Sequence, residues 1–278
     1  MTELHTLITD LVVGESPRWH DGRLWFANWG VAREIVAADT EGKTEVIAHG
    51  PKRAGYCLEW LPDGRLLVTG EDKILYQDGE VHADLSGQAT SLNEIVLDAR
   101  GNIYVNDVGF RFGEEDFRPG SILLVTPEGT VTKVAEQVMF PNGMVITPDN
   151  KTLIVAESWA SRLTAFDIEP DGGLSNRRVW APVNGDGLAL DAEGAVWASD
   201  MVDDTPVVRR VREGEILDEF ETPGACFACA LGGDDGRTLF LMVAQWRGIE
   251  HMDEMFGQHT GKVLTMRVDV PAARTVHA

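Results

Sequence analysis

The sequence feature that most constrains the fold is a short unit that recurs six times along the chain. Each copy is a turn, usually containing Asp and Gly, followed by an apolar strand, which is a hairpin signal. Successive copies begin 36 to 49 residues apart, a spacing that suits four short strands per unit. The six copies are DGRLWFAN (21–28), DGRLLVTG (63–70), ARGNIYVND (99–107), PDNKTLIVAES (148–158), AEGAVWASD (192–200) and DDGRTLFLMV (234–243).

The segments between the copies also resemble one another. Each alternates strand, Gly-containing turn and strand, as in KILYQDGEVHADL and SILLVTPEGTVTKVAEQ. No long segment carries a helical period with caps. These observations predict an all-β protein, a six-bladed β-propeller of four-stranded antiparallel blades, as a single domain over residues 1–278. A β-sandwich or barrel is the alternative, but it would not explain six similarly spaced copies.

Composition limits the partners and the compartment. The net charge of −21 repels phosphate backbones and anionic lipids, so we expect neither nucleic acid nor membrane partners. No apolar run reaches the ~18 residues of a membrane helix, and the N-terminal residues do not resemble a secretory signal. Three cysteines in a chain of 278 residues fit a reducing compartment. We therefore expect a cytoplasmic location; the oligomeric state stays open.

The register of the repeats selects candidate site residues. In a propeller the first strand of each blade lines the channel and precedes the repeated turn, so counting back from each turn finds equivalent channel positions. The offset is eight residues in units three to six and seven in units one and two, whose turns are shorter. The six positions are Glu15, Cys57, Asn93, Asn142, Asp186 and Ala228.

Four of these six side chains carry oxygen atoms and open apolar strands. Converging carboxylates repel one another unless a positive charge lies between them. Two carboxylates (Glu15, Asp186) and two amides (Asn93, Asn142) balance one doubly charged cation, and an all-oxygen set favours Ca²⁺, Mg²⁺ or Mn²⁺ over a Cys/His zinc site. The alternative is that each is a turn residue bonded to nearby backbone.

Four ordered segments resemble the SMP-30/gluconolactonase/luciferin-regenerating-enzyme family, and the resemblance runs from about residue 10 to residue 268. It implies a six-bladed propeller with one catalytic divalent cation (Ca²⁺, Mg²⁺, Mn²⁺ or Zn²⁺, with calcium favoured). The implied ligands are Glu15, Asn142 and Asp186, with Asn93 as a ligand or a substrate contact. The matching segments are Gly14-Glu15-Ser16-Pro17, Leu92-Asn93-Glu94, Pro141-Asn142-Gly143-Met144 and Asp186-Gly187-Leu188.

The resemblance also bears on the substrate. Typical members hydrolyse lactones of sugar acids, and a related branch hydrolyses fluorophosphates. Sugar-lactone members usually carry Arg two residues before the residue that matches Asn93, where this chain has Ser91. Arg111 could supply a cation from a nearby loop, or it could be a surface residue. The candidate substrate contacts are therefore Asn93, Ser91 and Arg111.

The predicted function is a metal-dependent lactonase, a carboxylic-ester hydrolase that opens a lactone ring. Asp186, the catalytic candidate, would take a proton from water or attack the carbonyl directly, and the sequence leaves both routes open. The alternatives are a phosphotriesterase-type hydrolase at the same metal site and a non-catalytic scaffold stabilised by its ion. The expected partner is a small-molecule lactone or ester.

The C-x-x-C motif and three of the tryptophans can each be explained by packing alone. Cys226 and Cys229 spell C-x-x-C, but a separation of three on a regular strand places two thiols on opposite faces, which predicts buried structural thiols. Trp29, Trp159 and Trp246 follow strand ends and could either line the rim of a pocket or pack between blades.

Overall fold

The computed structural model describes residues 3–52 and 55–273, and it contains six four-stranded antiparallel sheets. This arrangement confirms the predicted six-bladed β-propeller. In chain order, the first twelve strands are β1 (His5–Leu11), β2 (Gly14–His20), β3 (Arg23–Asn28), β4 (Glu34–Ala38), β5 (Thr44–His49), β6 (Leu58–Trp60), β7 (Leu66–Thr69), β8 (Lys73–Tyr76), β9 (Val81–Asp84), β10 (Leu92–Leu97), β11 (Ile103–Asp107) and β12 (Gly120–Val125). The remaining elements are β13 (Val131–Val138), β14 (Pro141–Ile146), β15 (Thr152–Glu157), β16 (Arg162–Ile168), β17 (Leu174–Ala181), β18 (Leu188–Leu190), β19 (Val196–Val202), β20 (Thr205–Arg212), β21 (Glu215–Glu221), β22 (Ala225–Gly232), β23 (Thr238–Ala244), α1 (Met252–Gly257), β24 (Gly261–Arg267) and two 3₁₀ turns, Ser158–Ala160 and Ile249–His251.

The repeated turns join the first and second strands of the sheets, and their chemistry explains why they bend. In the third copy, one oxygen of Asp98 accepts the backbone N–H groups of Arg100 and Asn102 at 2.8 and 2.9 Å. Gly101 between them has a φ of +82°, a conformation that costs a glycine little. An Asp that binds the backbone two residues on, followed by a residue with positive φ, is a sufficient local signal for a tight hairpin.

The described residues form two compact units, and the first comprises the described part of Met1–Gly55 together with Asp186–Ala273. It contains three sheets: β2 to β5, β18 to β21, and a sheet in the order β1-β24-β23-β22. The N-terminal strand β1 therefore completes a sheet whose other three strands come from the C-terminal end of the chain, with Ile8 opposite Val263. The prediction of one domain over residues 1–278 stays a prediction.

The core of this unit lies between its sheets. Ile8, Leu24 and Phe26 belong to a buried cluster with Phe240 and Met242. Trp19 stacks on Phe240, with ring centroids 5.6 Å apart. Burying such side chains stabilises the fold by ~25 cal/mol for each Å² of apolar surface removed from water, and this free energy holds neighbouring sheets face to face.

The second unit, Tyr56–Gly185, contains the sheets β6 to β9, β10 to β13 and β14 to β17, each with its strands in chain order. A buried cluster joins the last two sheets through Val96, Tyr104, Met144, Val155 and Phe166. Among the residues that the structure describes, no helix is long and apolar enough to cross a membrane.

Candidate active site

The four predicted ligand residues lie at the starts of the first strands of their sheets. Glu15, Asn93 and Asn142 are the second residues of β2, β10 and β14, and Asp186 lies two residues before β18. In the first three strands the ladder register shifts at this point, which is a β-bulge. A bulge inserts a residue and re-aims side chains, and bulges are common next to functional sites. The shifts lie between Glu15 and Arg18, between Leu92 and Ile95, and between Pro141 and Met144.

In the first unit, hydrogen bonds hold the carboxylate of Glu15 and the backbone of Asp186. Glu15 is buried, and its carboxylate accepts the N–H of Ser16 at 3.1 Å. The N–H of Asp186 donates to Ser199 Oγ at 3.3 Å. Gly187, the next residue, donates to the carbonyl of Phe227 in β22 at 2.9 Å, and a Cβ added there would lie 2.7 Å from Ala228. Only a glycine allows this approach, which holds the backbone of Asp186 against β22.

Both thiols of β22 have raised pKa values. Burial raises the pKa of Cys229 to about 12, and the negative charges of Asp186 and Glu15 raise it as well. Burial, the neighbouring Cys229 and the same two carboxylates raise the pKa of Cys226 well above its ordinary value. The negative charges of Glu15 and Asp186 thus act in the same direction as burial, and both thiols stay protonated at neutral pH.

The prediction that Cys226 and Cys229 point to opposite faces is wrong. Cys226 lies opposite Val243 and Cys229 lies opposite Leu241, and these partners, two residues apart in β23, share a face. The register shift between Cys226 and Ala228 supplies the extra residue that reverses the alternation. Both thiols are buried and free in one apolar cluster, as expected for structural cysteines.

In the second unit the two predicted amides contact each other. Asn93 Nδ2 donates to Asn142 Oδ1 at 3.2 Å, and the Cys57 thiol donates to Asn93 Oδ1 at 3.8 Å. Asn106 fixes both bulges: its amide nitrogen donates to the carbonyl of Asn142 at 2.7 Å, and its oxygen accepts the N–H of Glu94 at 3.0 Å. The first strands β10 and β14 are thus tied together at the level of the predicted ligands.

The two other predicted substrate contacts already have protein partners. The N–H of Ser91 donates to Asp107 Oδ1 at 2.7 Å. The half-exposed guanidinium of Arg111 donates to Glu71 at 3.0 Å and to Glu115 at 3.4 Å. Glu71, and then Glu115, raise the pKa of Arg111 above its ordinary value. The charge of Arg111 is therefore balanced within the protein, and substrate roles for Ser91 and Arg111 stay predictions.

Sequence reasoning missed the polar side chains that hold the site backbone. Thr69 Oγ1 accepts the N–H of Cys57 at 2.8 Å, Asn106 accepts Glu94 and Ser199 accepts Asp186. All three stand five residues after the turn glycine of their repeat unit, within the second strand. A polar residue recurring at one offset in otherwise apolar strands is the signal that would have revealed them.

The chemistry of the predicted donors fits a hard divalent cation. The set offers two carboxylates and two amide oxygens, and one dication balances its two negative charges. A buried carboxylate such as Glu15 is stable only when it is paired, hydrogen-bonded or bound to a metal. Within residues 3–52 and 55–273 no three His, Cys, Asp or Glu side chains are grouped as a metal site; the predicted set contains only two residues of those types.

The six four-stranded sheets, four of which carry an oxygen-bearing side chain at or just before the start of the first strand, define the protein's class as a β-propeller. The profile described as "SMP-30/Gluconolactonase/LRE-like region" matches residues 13–245. The chain therefore belongs to the SMP-30/gluconolactonase/LRE-like family.

Individual relatives cover nearly the whole chain. The chain is 27% identical to pentonolactonase XacC of Haloferax volcanii, over 98% of this chain and 96% of the relative. It is 29% identical to 6-deoxy-6-sulfogluconolactonase of Pseudomonas putida, over 94% of this chain and 92% of the relative. Among solved structures, a calcium-binding regucalcin from Agrobacterium tumefaciens superposes with a TM-score of 0.77 at 21% identity, covering 98% of each chain.

Proposed function

We propose that this protein is a divalent-metal-dependent hydrolase that opens a lactone ring. The observation that carries the proposal is that four oxygen-bearing side chains stand at or just before the starts of four first strands, three of them at a β-bulge: Glu15, Asn93, Asn142 and Asp186. The two relatives named as lactonases, which align with more than nine-tenths of the chain, support the reaction class.

We propose calcium as the cation, because the donors are all oxygen and the regucalcin relative is described as calcium-binding. Glu15 and Asp186 would supply the negative charge of the ligand set. Asn93 and Asn142 are the neutral ligands predicted from the sequence. When bound, such a cation polarises a lactone carbonyl and stabilises charge that develops on its oxygen.

The protein's own residues would handle the proton. Asp186 would accept a proton from the water that attacks the carbonyl carbon and then return it to the ring oxygen as the C–O bond breaks. Alternatively, the carboxylate would attack the carbonyl itself, and water would hydrolyse the resulting anhydride. Both routes need the carboxylate of Asp186 at a fixed position, and the hydrogen bond from its backbone N–H to Ser199 Oγ and the close approach of Gly187 hold the backbone that carries it.

The proposal is tested by the hydrolysis of sugar, aliphatic and aryl-fused lactones and of phosphotriesters, with added Ca²⁺ and with a chelator. We expect chelator-sensitive ring opening. Asp186→Asn should lower kcat by about 100-fold or more, the range that a positioned acid–base group supplies. The control is Asp21→Asn, which makes the same change at an exposed turn residue with positive φ.

Each other outcome has a defined meaning. If Asp186→Asn retains most of the activity while folded, its catalytic assignment is rejected. If the protein hydrolyses phosphotriesters but no lactone, the lactonase assignment is replaced by a phosphotriesterase assignment. Loss of the folded state on chelation, without any turnover, would leave only a metal-stabilised scaffold.

A further inference from the structure

Five aromatic rings form a cluster in the second unit that the lactonase mechanism does not use. We call it the aromatic cluster; its members are Phe110, Phe112, Phe117, Phe140 and Trp159. Trp159 is its centre: it stacks on Phe140 with centroids 5.2 Å apart and planes 12° apart, and it lies 4.7 Å from Phe117. Phe110 is almost completely buried and contacts Phe117 and Trp159, with ring centroids 5.6 Å apart in both pairs.

The aromatic cluster is not simply part of the core. Trp159 is 43% exposed although four phenylalanines surround it, and Phe112 and Phe140 are half-buried. Large rings usually bury most of their surface, and a contiguous exposed apolar patch marks a place where something binds. The exposed surface of Trp159, with the partly exposed rings of Phe112 and Phe140 beside it, therefore leaves apolar ring surface available to a small molecule.

The position of the cluster connects it to the candidate active site. Phe140 directly precedes Pro141 and Asn142, so its ring stands at the start of the first strand β14. The N–H of Ser158 donates to the carbonyl of Phe140 at 3.2 Å, and the N–H of Trp159 donates to that of Met139 at 3.3 Å. These bonds hold the loop of Trp159 against the segment that leads to Asn142.

The charges around the cluster do not favour an anionic substrate. Arg111, between Phe110 and Phe112 in the chain, is bonded to Glu71 and Glu115 and offers no uncompensated positive charge. Glu114 and Asp116 of the same loop are exposed and negative. An anionic sugar acid would meet repulsion at this edge, whereas an uncharged apolar group would gain contact with the rings.

We infer that the aromatic cluster binds an apolar substituent of the substrate, so that the preferred substrate is a lactone carrying an aryl or alkyl group. The inference rests on the proposed lactonase function and specifies its substrate class. This substrate class differs from the sugar lactones after which the two relatives are named.

The test compares an aryl-fused δ-lactone with δ-gluconolactone in the full-length protein. We expect wild type to favour the aryl-fused lactone in kcat/KM. Trp159→Ala should lower kcat/KM for it by about tenfold, the scale of one desolvated aromatic contact, and that for gluconolactone by less than about twofold. Phe112→Leu provides a second, milder variant, and Trp180→Ala, a half-buried Trp in the outermost strand of the same sheet, is the matched control.

A binding measurement separates this inference from the proposed function. Calorimetric titration with an aryl-fused lactam, which resists hydrolysis, should give weaker binding in Trp159→Ala and unchanged binding in Trp180→Ala. Trp159-dependent lactam binding without any lactone turnover would support the subsite and reject the lactonase. Equal losses on both lactones in Trp159→Ala, or a wild-type preference for gluconolactone, would overturn the subsite and leave the lactonase intact.

Discussion

At the scale of single residues, the most demanding group outside the candidate site is Glu157. It is fully buried at the end of β15, and its carboxylate accepts bonds from Arg177 at 2.9 and 3.0 Å and from Arg162 at 3.0 Å. Thr164 and the N–H of Met139 also donate to it. Glu157 thereby joins three strands of one sheet to the segment that precedes Asn142.

These bonds outweigh the effect of burial on the acidity of Glu157. Burial alone would raise the pKa of the carboxyl group, but the hydrogen bonds from Thr164 and Met139 and the charge and hydrogen bond of Arg177 hold it below 4.5. A pKa lower in the folded state than in the unfolded state contributes stability above about pH 4.5. That contribution is lost as the pH falls through the folded-state value.

We expect Glu157→Gln to lower the free energy of unfolding by about 2 kcal/mol at pH 7, less than for a fully buried pair because both arginines are a third exposed. The difference from wild type should shrink below pH 4.5, because wild type alone loses the ionised contribution. Urea unfolding at pH 7 and at pH 3.5 measures both effects, with the exposed Glu136→Gln as control. A difference that grows on acidification would contradict the sign.

At the scale of elements, the site depends on how second strands hold the bulged starts of first strands. A bulge leaves backbone N–H and C=O groups without ladder partners, and a buried unpaired group costs about 1–3 kcal/mol. Asn106, the penultimate residue of β11, satisfies one backbone group in each of the first strands β10 and β14. Its loss would therefore disturb Asn93 and Asn142 together.

Asn106→Ala should lower stability by about 2 kcal/mol and kcat/KM by about tenfold or more, because both bulges lose a backbone partner. Asn102→Ala is the matched control: Asn102 is a buried Asn just before β11, and its amide binds Asp98 instead. We expect Asn102→Ala to lose stability but keep kcat/KM. Equal activity losses in the two variants would show that Asn106 acts on stability alone.

At the scale of the whole molecule, the pairing of β1 with β24 brings the two ends of the chain into one sheet. Without β1, this sheet would have three strands and would expose the edge of β24. Ile8 pairs with Val263 and packs in the cluster with Phe26 and Phe240, so the closure is hydrophobic as well as hydrogen-bonded.

We expect Ile8→Asp to lower the free energy of unfolding by about 3 kcal/mol or more, because it places a charge in an apolar cluster. Thr9→Asp adds the same charge at the next residue, which is exposed, and should change stability by less than about 0.5 kcal/mol. Thermal and urea unfolding compare the two. Similar losses in the two variants would contradict the prediction that burial of the charge at residue 8 is what lowers stability.

The sequence by itself determined the repeating unit. Asp-Gly turns and alternating strands are local signals, so they predict six four-stranded sheets without knowledge of distant contacts, and counting from the turns places Glu15, Asn93, Asn142 and Asp186 at strand starts. Only the tertiary structure decided the rest. The bulge that puts Cys226 and Cys229 on one face, the pairing of Arg111 with Glu71 and the assembly of the aromatic cluster depend on strands and loops far apart in the chain. Their energies come from burial and long-range hydrogen bonds, which no short stretch of sequence encodes.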